Sequence, residues 1–138
     1  MAGEGSNRFV RARKARSTEI AEDYVELIGD LIEATGEARA ADIARSLGVK
    51  QATVSNVVAR LIRDGFVTAQ PYRSIFLTDK GKRLARMSRA RHAVVQNFLL
   101  ALGVPPDTAA IDAEGMEHHV SAETLAILEQ FTAGLQRS

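Results

Sequence analysis

Cysteine is absent from the 138 residues, and so is tryptophan. Without cysteine there is no disulfide, no thiolate zinc site and no cysteine nucleophile. Aromatic residues make up only 5% of the chain, so a core must be built from Leu, Ile, Val and Ala. The apolar share of 46% is enough to build one. No apolar run is long enough to span a bilayer, and the N-terminus lacks the apolar stretch of a secretory signal. The expectation is a soluble cytoplasmic protein of one compact domain, or of two small lobes.

Net charge is also nearly absent, at +1, but this sum hides blocks of alternating sign. Residues 1–16 carry +4, residues 17–38 carry −7, residues 39–91 carry +9 and residues 92–138 carry −5. A basic middle suits a polyanion, and acidic flanks suit cations. Solvated helix faces also bias local charge, though rarely in blocks this clean.

Residues 1–16 are small, polar and basic, with Arg8, Arg11, Arg13, Lys14 and Arg16. They read as a flexible arm, either a solubilising tail or a strand of charge that touches phosphates or a minor groove. Ser17 or Thr18 can cap a first helix, with Glu19 and Glu22 in its first turn. Ile20, Tyr24, Leu27, Ile28, Leu31 and Ile32 give it one apolar stripe, and Gly36 stops it after Thr35. Asp23 and Glu26 lie three apart on this helix. Alone they are exposed acids, but seven acids with no basic partner favour a bound cation.

A short helix over Ala40–Leu47 should end at Gly48, and a third should run from Gln51 to about Asp64, ended by Gly65. Val54, Val57, Val58, Leu61 and Ile62 form its inward stripe. Its other side carries Gln51, Thr53, Ser55, Asn56, Arg60 and Arg63, with Lys50 just ahead. Two helices joined by a glycine turn make a helix-turn-helix, whose second helix would lie in a major groove. An ordinary helical hairpin is the plainer alternative. The basic charge and the β-prone segment next along the chain favour DNA. Two β-prone runs, Phe66–Ala69 and Ser74–Leu77, flank Gln70-Pro-Tyr-Arg73 as a hairpin. Placed after a recognition helix, it is a wing, with Arg73 near its tip.

Thr78 can cap a long fourth helix to about Leu102, basic at first and apolar later, with His92 between the halves. Gly103 and Pro105-Pro106 end it. Pro106 can start a fifth helix through Asp112-Ala-Glu114-Gly-Met-Glu117-His118-His119. Glu114, Glu117 and His118 then share one helix face, their Cβ atoms about 5–6 Å apart. Two carboxylates and an imidazole so close favour a hard divalent ion such as manganese. A solvated acidic face with incidental histidines is the competing account. Ser121 caps a last helix, whose Leu125, Leu128, Phe131 and Leu135 need a second surface. A homodimer through the C-terminal helices would supply it.

Several motifs now stand in a recognisable order: Glu22-Asp23-Tyr24-Val25-Glu26-Leu27-Ile28, Gly48-Val49, Tyr72-Arg73 before Phe76-Leu77-Thr78, Arg91-His92, Asn97–Val104 and Asp112–Ser121. Over roughly residues 17–130 the chain resembles the manganese-responsive branch of the iron-dependent, diphtheria-toxin-repressor-like regulators. The resemblance implies a mainly α protein: an N-terminal winged helix-turn-helix DNA-binding domain over residues 17–78, then a linker helix and helical metal-binding and dimerisation domain over 79–138. The chain ends too early for the SH3-like domain of larger members.

The resemblance also implies a binuclear manganese site, with Asp23, Glu26, His92, Glu114, Glu117 and His118 as ligands. Iron-responsive relatives carry a methionine and a cysteine at the places of Asp23 and Glu114, so oxygens there favour manganese. His119 is not a ligand in the pattern and reads as structural. The implied activity is metal-activated repression, by a homodimer on double-stranded operator DNA, of manganese-uptake genes. Lys50, Gln51, Thr53, Ser55, Asn56, Arg60 and Arg73 are the expected DNA contacts. Three rivals stay open. One is a di-metal carboxylate enzyme, against which stand the winged helix and the lack of a second Glu-x-x-His. The others are a metal-independent winged-helix regulator and an adaptor.

Overall fold

The computed structural model describes residues 2–70 and 73–137. It divides into two compact units, Arg16–Arg86 and Met87–Ser138, the latter grouped with Met1–Ala15. Helix α1 covers Ala2–Thr35. It is therefore helical across the segment expected to be a flexible arm. Arg11-Ala-Arg-Lys-Ala-Arg16 is made of strong helix formers, and extending an existing helix costs far less than nucleating one. Residues 7–14 are exposed, so propensity rather than packing accounts for this part.

The first unit is a helix-turn-helix with a small hairpin. Helices α2 (Ala40–Leu47) and α3 (Gln51–Arg63) follow α1. Gly48 joins them at φ 67°, a left-handed conformation that favours glycine, and Val49 N–H closes the turn onto Ala44 O at 3.0 Å. Strands β1 (Val67–Thr68) and β2 (Phe76–Leu77) pair antiparallel, Val67 opposite Leu77 and Thr68 opposite Phe76. Pro71 and Tyr72 of the hairpin tip lie outside the described residues. Tyr24 and Ile28 of α1 join Ile43, Val54, Val57, Val58, Leu61, Val67 and Ile75 in one buried cluster. Ile62, expected to face inward, is 44% exposed. A stripe of Val54, Val57, Val58 and Leu61 already fills the contact face.

The hairpin is fastened at both ends. Ser74 Oγ accepts from Ala38 N–H at 2.8 Å, and Ile75 N–H donates to Ala38 O at 2.8 Å. Helix α4 (Asp79–Ala101) begins against the start of β1. Thr78 Oγ1 donates to Gly65 O at 2.6 Å and accepts from Gly81 N–H at 3.1 Å, so it caps the helix as the sequence predicts. Gly81 lies so close that an added Cβ would sit 2.1 Å from Phe66 O. Only glycine permits that approach.

The second unit is purely helical among the described residues. After α4 come α5 (Pro106–Met116), a 3-10 turn over Glu117–His119, and α6 (Ala122–Gln136). Val95 and Leu99 of α4 pack on Ala109 and Ala113 of α5, with Phe98, Val104 and Leu125 against them. Phe98 meets Phe131 edge-on, ring centroids 6.1 Å apart. Ser121 Oγ accepts from Thr124 N–H at 3.1 Å, the expected cap of α6. The core is small, and Leu102, Ile111, Ile127, Phe131 and Leu135 stay exposed.

Candidate metal centre and DNA-binding surface

On α4, Ser88, His92, Val95 and Leu99 recur at helical spacing and form an inward stripe. Val95 and Leu99 reach the apolar core, while His92 stands where the stripe meets the 3-10 turn. Glu117 opens that turn with its side chain 2% exposed. Its Oε2 lies 3.1 Å from His92 Nδ1, and its Oε1 lies 3.4 Å from His118 Nε2. His92 keeps 27% of its side chain in solvent, and His118 keeps 2%. One buried carboxylate thus reaches two imidazoles, one through each oxygen.

The local structure departs from expectation here. Glu114, Glu117 and His118 do not share one α-helical face, because α5 stops at Met116 and the chain tightens to 3-10 geometry. The chain must turn into Val120 and the Ser121 cap within three residues, and a tightened last turn achieves this. Glu114 remains exposed on α5. His119 is exposed and sets its ring at 74° to that of His118, 6.5 Å away.

Asp23 and Glu26 belong to α1, the first exposed and the second half-buried. Their carboxylates offer oxygens within 4.8 Å of one another. Glu19, which the sequence marks only as a first-turn acid, offers another within the same distance of Asp23. Its position one turn before Asp23 is the signal for it. Each unit thus carries carboxylate or imidazole donors without thiolate. That donor chemistry fits a hard to borderline divalent ion.

The expected DNA contacts gather on one surface of the first unit. Gln51, Thr53, Ser55, Asn56 and Arg60 are exposed on α3, and Lys50 is exposed as its N-cap residue. Arg60 faces Tyr24 closely enough that its guanidinium opposes the burial that pushes the Tyr24 phenol above its usual range. Arg73 is exposed beside the hairpin. A cleft lined by Arg39, Ala40, Ala41, Ser55, Gln70 and Arg73 separates the start of α2 from the hairpin. The sequence singles out Ser55 and Arg73 but not Arg39, whose place just before a helix start was its only sign. Arg39 pairs with Glu37 at 3.2 Å in full solvent, a contact a phosphate can displace.

A winged helix-turn-helix continued by a long helix into a unit that buries a carboxylate between imidazoles defines a ligand-responsive DNA-binding protein. The comparisons narrow that class. Residues 17–75 match the profile of the iron dependent repressor N-terminal DNA binding domain, and residues 78–138 match that of the iron dependent repressor metal binding and dimerisation domain. Transcriptional regulator MntR of Salmonella typhimurium is 53% identical over 124 residues, covering 90% of this chain and 79% of the relative. The HTH-type transcriptional regulator MntR of Listeria monocytogenes is 41% identical over 100 residues, 72% of this chain and 70% of its own.

Among solved structures, the manganese regulator SloR superposes with a TM-score of 0.72 at 29% identity. A manganese-dependent transcriptional repressor in complex with manganese gives 0.73 at 29% identity. Each covers 82% of this chain, and the chain spans about half of each, 53% and 52%. The chain belongs to the iron-dependent repressor family of transcriptional regulators.

Proposed function

We propose that the protein is a manganese-activated repressor that acts by binding rather than catalysis. The observation that carries this is the buried Glu117 carboxylate held between His92 and His118. A carboxylate this far from water is tolerated when it is paired or coordinates a metal. A neutral imidazole beside Glu117 Oε2 has a lone pair to offer a cation. The ligand set is Asp23, Glu26, His92, Glu114, Glu117 and His118, holding two ions. Glu114 needs to turn from solvent to join it. Bound manganese supplies positive charge that cancels carboxylate repulsion.

The ion favours the DNA-binding state only by its differential affinity for that state. Selectivity does not come from raw affinity, since manganese is the weakest binder of its series. Other divalent ions will bind in the tube. The DNA is an operator of manganese-uptake genes in the cytoplasm, bound by a homodimer. Lys50, Arg60 and Arg73 meet phosphates, with Arg39 beside them, and Gln51, Thr53, Ser55 and Asn56 face bases. No helix among the described residues is long and apolar enough to cross a membrane.

The test is a fluorescence-anisotropy titration against promoter DNA, with and without manganese, comparing wild type with Glu117→Ala. The expected result is manganese-dependent binding that the variant loses while sedimentation shows its dimer intact. Wild-type binding that ignores manganese would replace this with a metal-independent winged-helix regulator.

A further inference from the structure

We propose that Ser88 is a positioning residue of the cation centre, its hydroxyl hydrogen-bonding a ligand of the bound ion. This rests on the metal-binding function proposed above. Ser88 is 1% exposed, and its Oγ has no hydrogen-bond partner among the described residues. A hydroxyl in a helix can bond the carbonyl four residues back. Thr132 does so, donating to Leu128 O at 2.8 Å. Ser88 does not. A buried hydroxyl left unmatched disfavours the state that contains it.

Its neighbours say what would match it. Ser88 and His92 stand four apart on α4, so their Cβ atoms lie about 5–6 Å apart on one face. Farther along that face Val95 and Leu99 enter the apolar core. The stripe is polar only at Ser88 and His92, the turn where Glu117 Oε2 reaches His92 Nδ1 at 3.1 Å. A hydroxyl donates one hydrogen and accepts two. A metal shell of carboxylate and water contains both an acceptor and a donor for it, and the apolar wall contains neither. Partners of this outer kind fix the orientation of the ligands they touch. Ser88 therefore links ion occupancy to the attitude of the His92–Glu117 pair.

Ser88→Ala tests this because the metal-free and metal-bound states should respond with opposite signs. Without metal, the variant should melt about 2–4 °C higher, since the unmatched hydroxyl is gone. Its manganese affinity by titration calorimetry should fall about tenfold. Ser88→Thr, which keeps a hydroxyl, should hold manganese within about threefold of wild type while Ser88→Ala does not. A lower metal-free melting temperature in Ser88→Ala would mean the hydroxyl is already matched, and unchanged manganese affinity would mean it does not serve the ion. Either result overturns the role of Ser88 alone. A wild type that binds no manganese overturns the metal centre itself, and this inference with it.

Discussion

The two units are built to different degrees of completeness. The winged-helix unit closes on itself: Ile28, Ile43 and Val54 are fully buried, and its hairpin is tied at Ala38 and at Gly81. The polar residues expected to contact DNA lie outside on α3 and beside the hairpin, with Ile62 and Phe76 exposed as well. The C-terminal unit has four fully packed apolar side chains at its centre, two of them alanines. It leaves Ile111 72% exposed and buries Glu117, Ser88 and Thr132, where the winged-helix unit buries the single carboxylate of Glu22 among its described polar residues. A unit with apolar side chains outside and a carboxylate inside needs partners of two kinds. A second copy would cover the first group, and a cation would satisfy the second. Under the proposed function the sensing half is the unfinished half, so that occupancy can change its state.

The largest expected effect breaks this contrast at the exposed apolar face. Phe131→Glu puts a charge where a second copy would pack. Sedimentation should show monomers, and affinity for a two-half-site operator should fall on the order of 100-fold. The melting of the winged-helix unit should not move. A Phe131→Glu protein that remains dimeric would place the interface elsewhere.

Next is the closed unit. Gly81→Ala forces a Cβ onto the Phe66 carbonyl and should cost about 1–3 kcal/mol, despite alanine's better helix propensity. The loss should appear in thermal unfolding while manganese affinity of the folded protein stays as in wild type. Equal loss of both would show that the units do not separate as described. A smaller effect belongs to Arg73→Ala. It should weaken operator and random duplex alike and reduce the salt slope of DNA binding by about one. A loss confined to the operator would instead make Arg73 a base reader.

How much of this was legible depends on the range of the forces involved. The bounds of α2 and α3 were readable because Gly48 and Gly65 mark their ends and the caps are local. The cap at Ser121 was readable for the same reason. The His92–Glu117 meeting was legible only through the family resemblance, since twenty-five positions separate the two residues. The spacing of Glu114, Glu117 and His118 suits an α-helix, but it says nothing of the tightening after Met116. Gly81 was not singled out, because its reason is a carbonyl fifteen residues earlier. Ser88 escaped because serine in a basic helix reads as solvated. The N-terminal helix escaped because small, polar and basic residues suggested a loose arm.

The smallest predicted effect sharpens the account of the closed unit through the buried phenol of Tyr24. Burial raises the Tyr24 pKa above its ordinary value, and Arg60 opposes this only in part. The unfolded chain releases that proton near pH 10, and the native state releases it later. Stability from this group is therefore complete below about pH 10 and declines as pH climbs toward the folded value. Tyr24→Phe removes the titration. Its stability relative to wild type, from urea unfolding, should be constant from pH 7 to 9 and should rise in the variant's favour above about pH 10. Because Arg60 lies on α3 among the expected DNA contacts, the same scan with operator bound should extend the decline to higher pH if DNA draws the guanidinium away from Tyr24. With that opposing charge withdrawn, the phenol should hold its proton to still higher pH. A decline that ends at the same pH with and without DNA would mean Arg60 keeps its place beside Tyr24 in the complex.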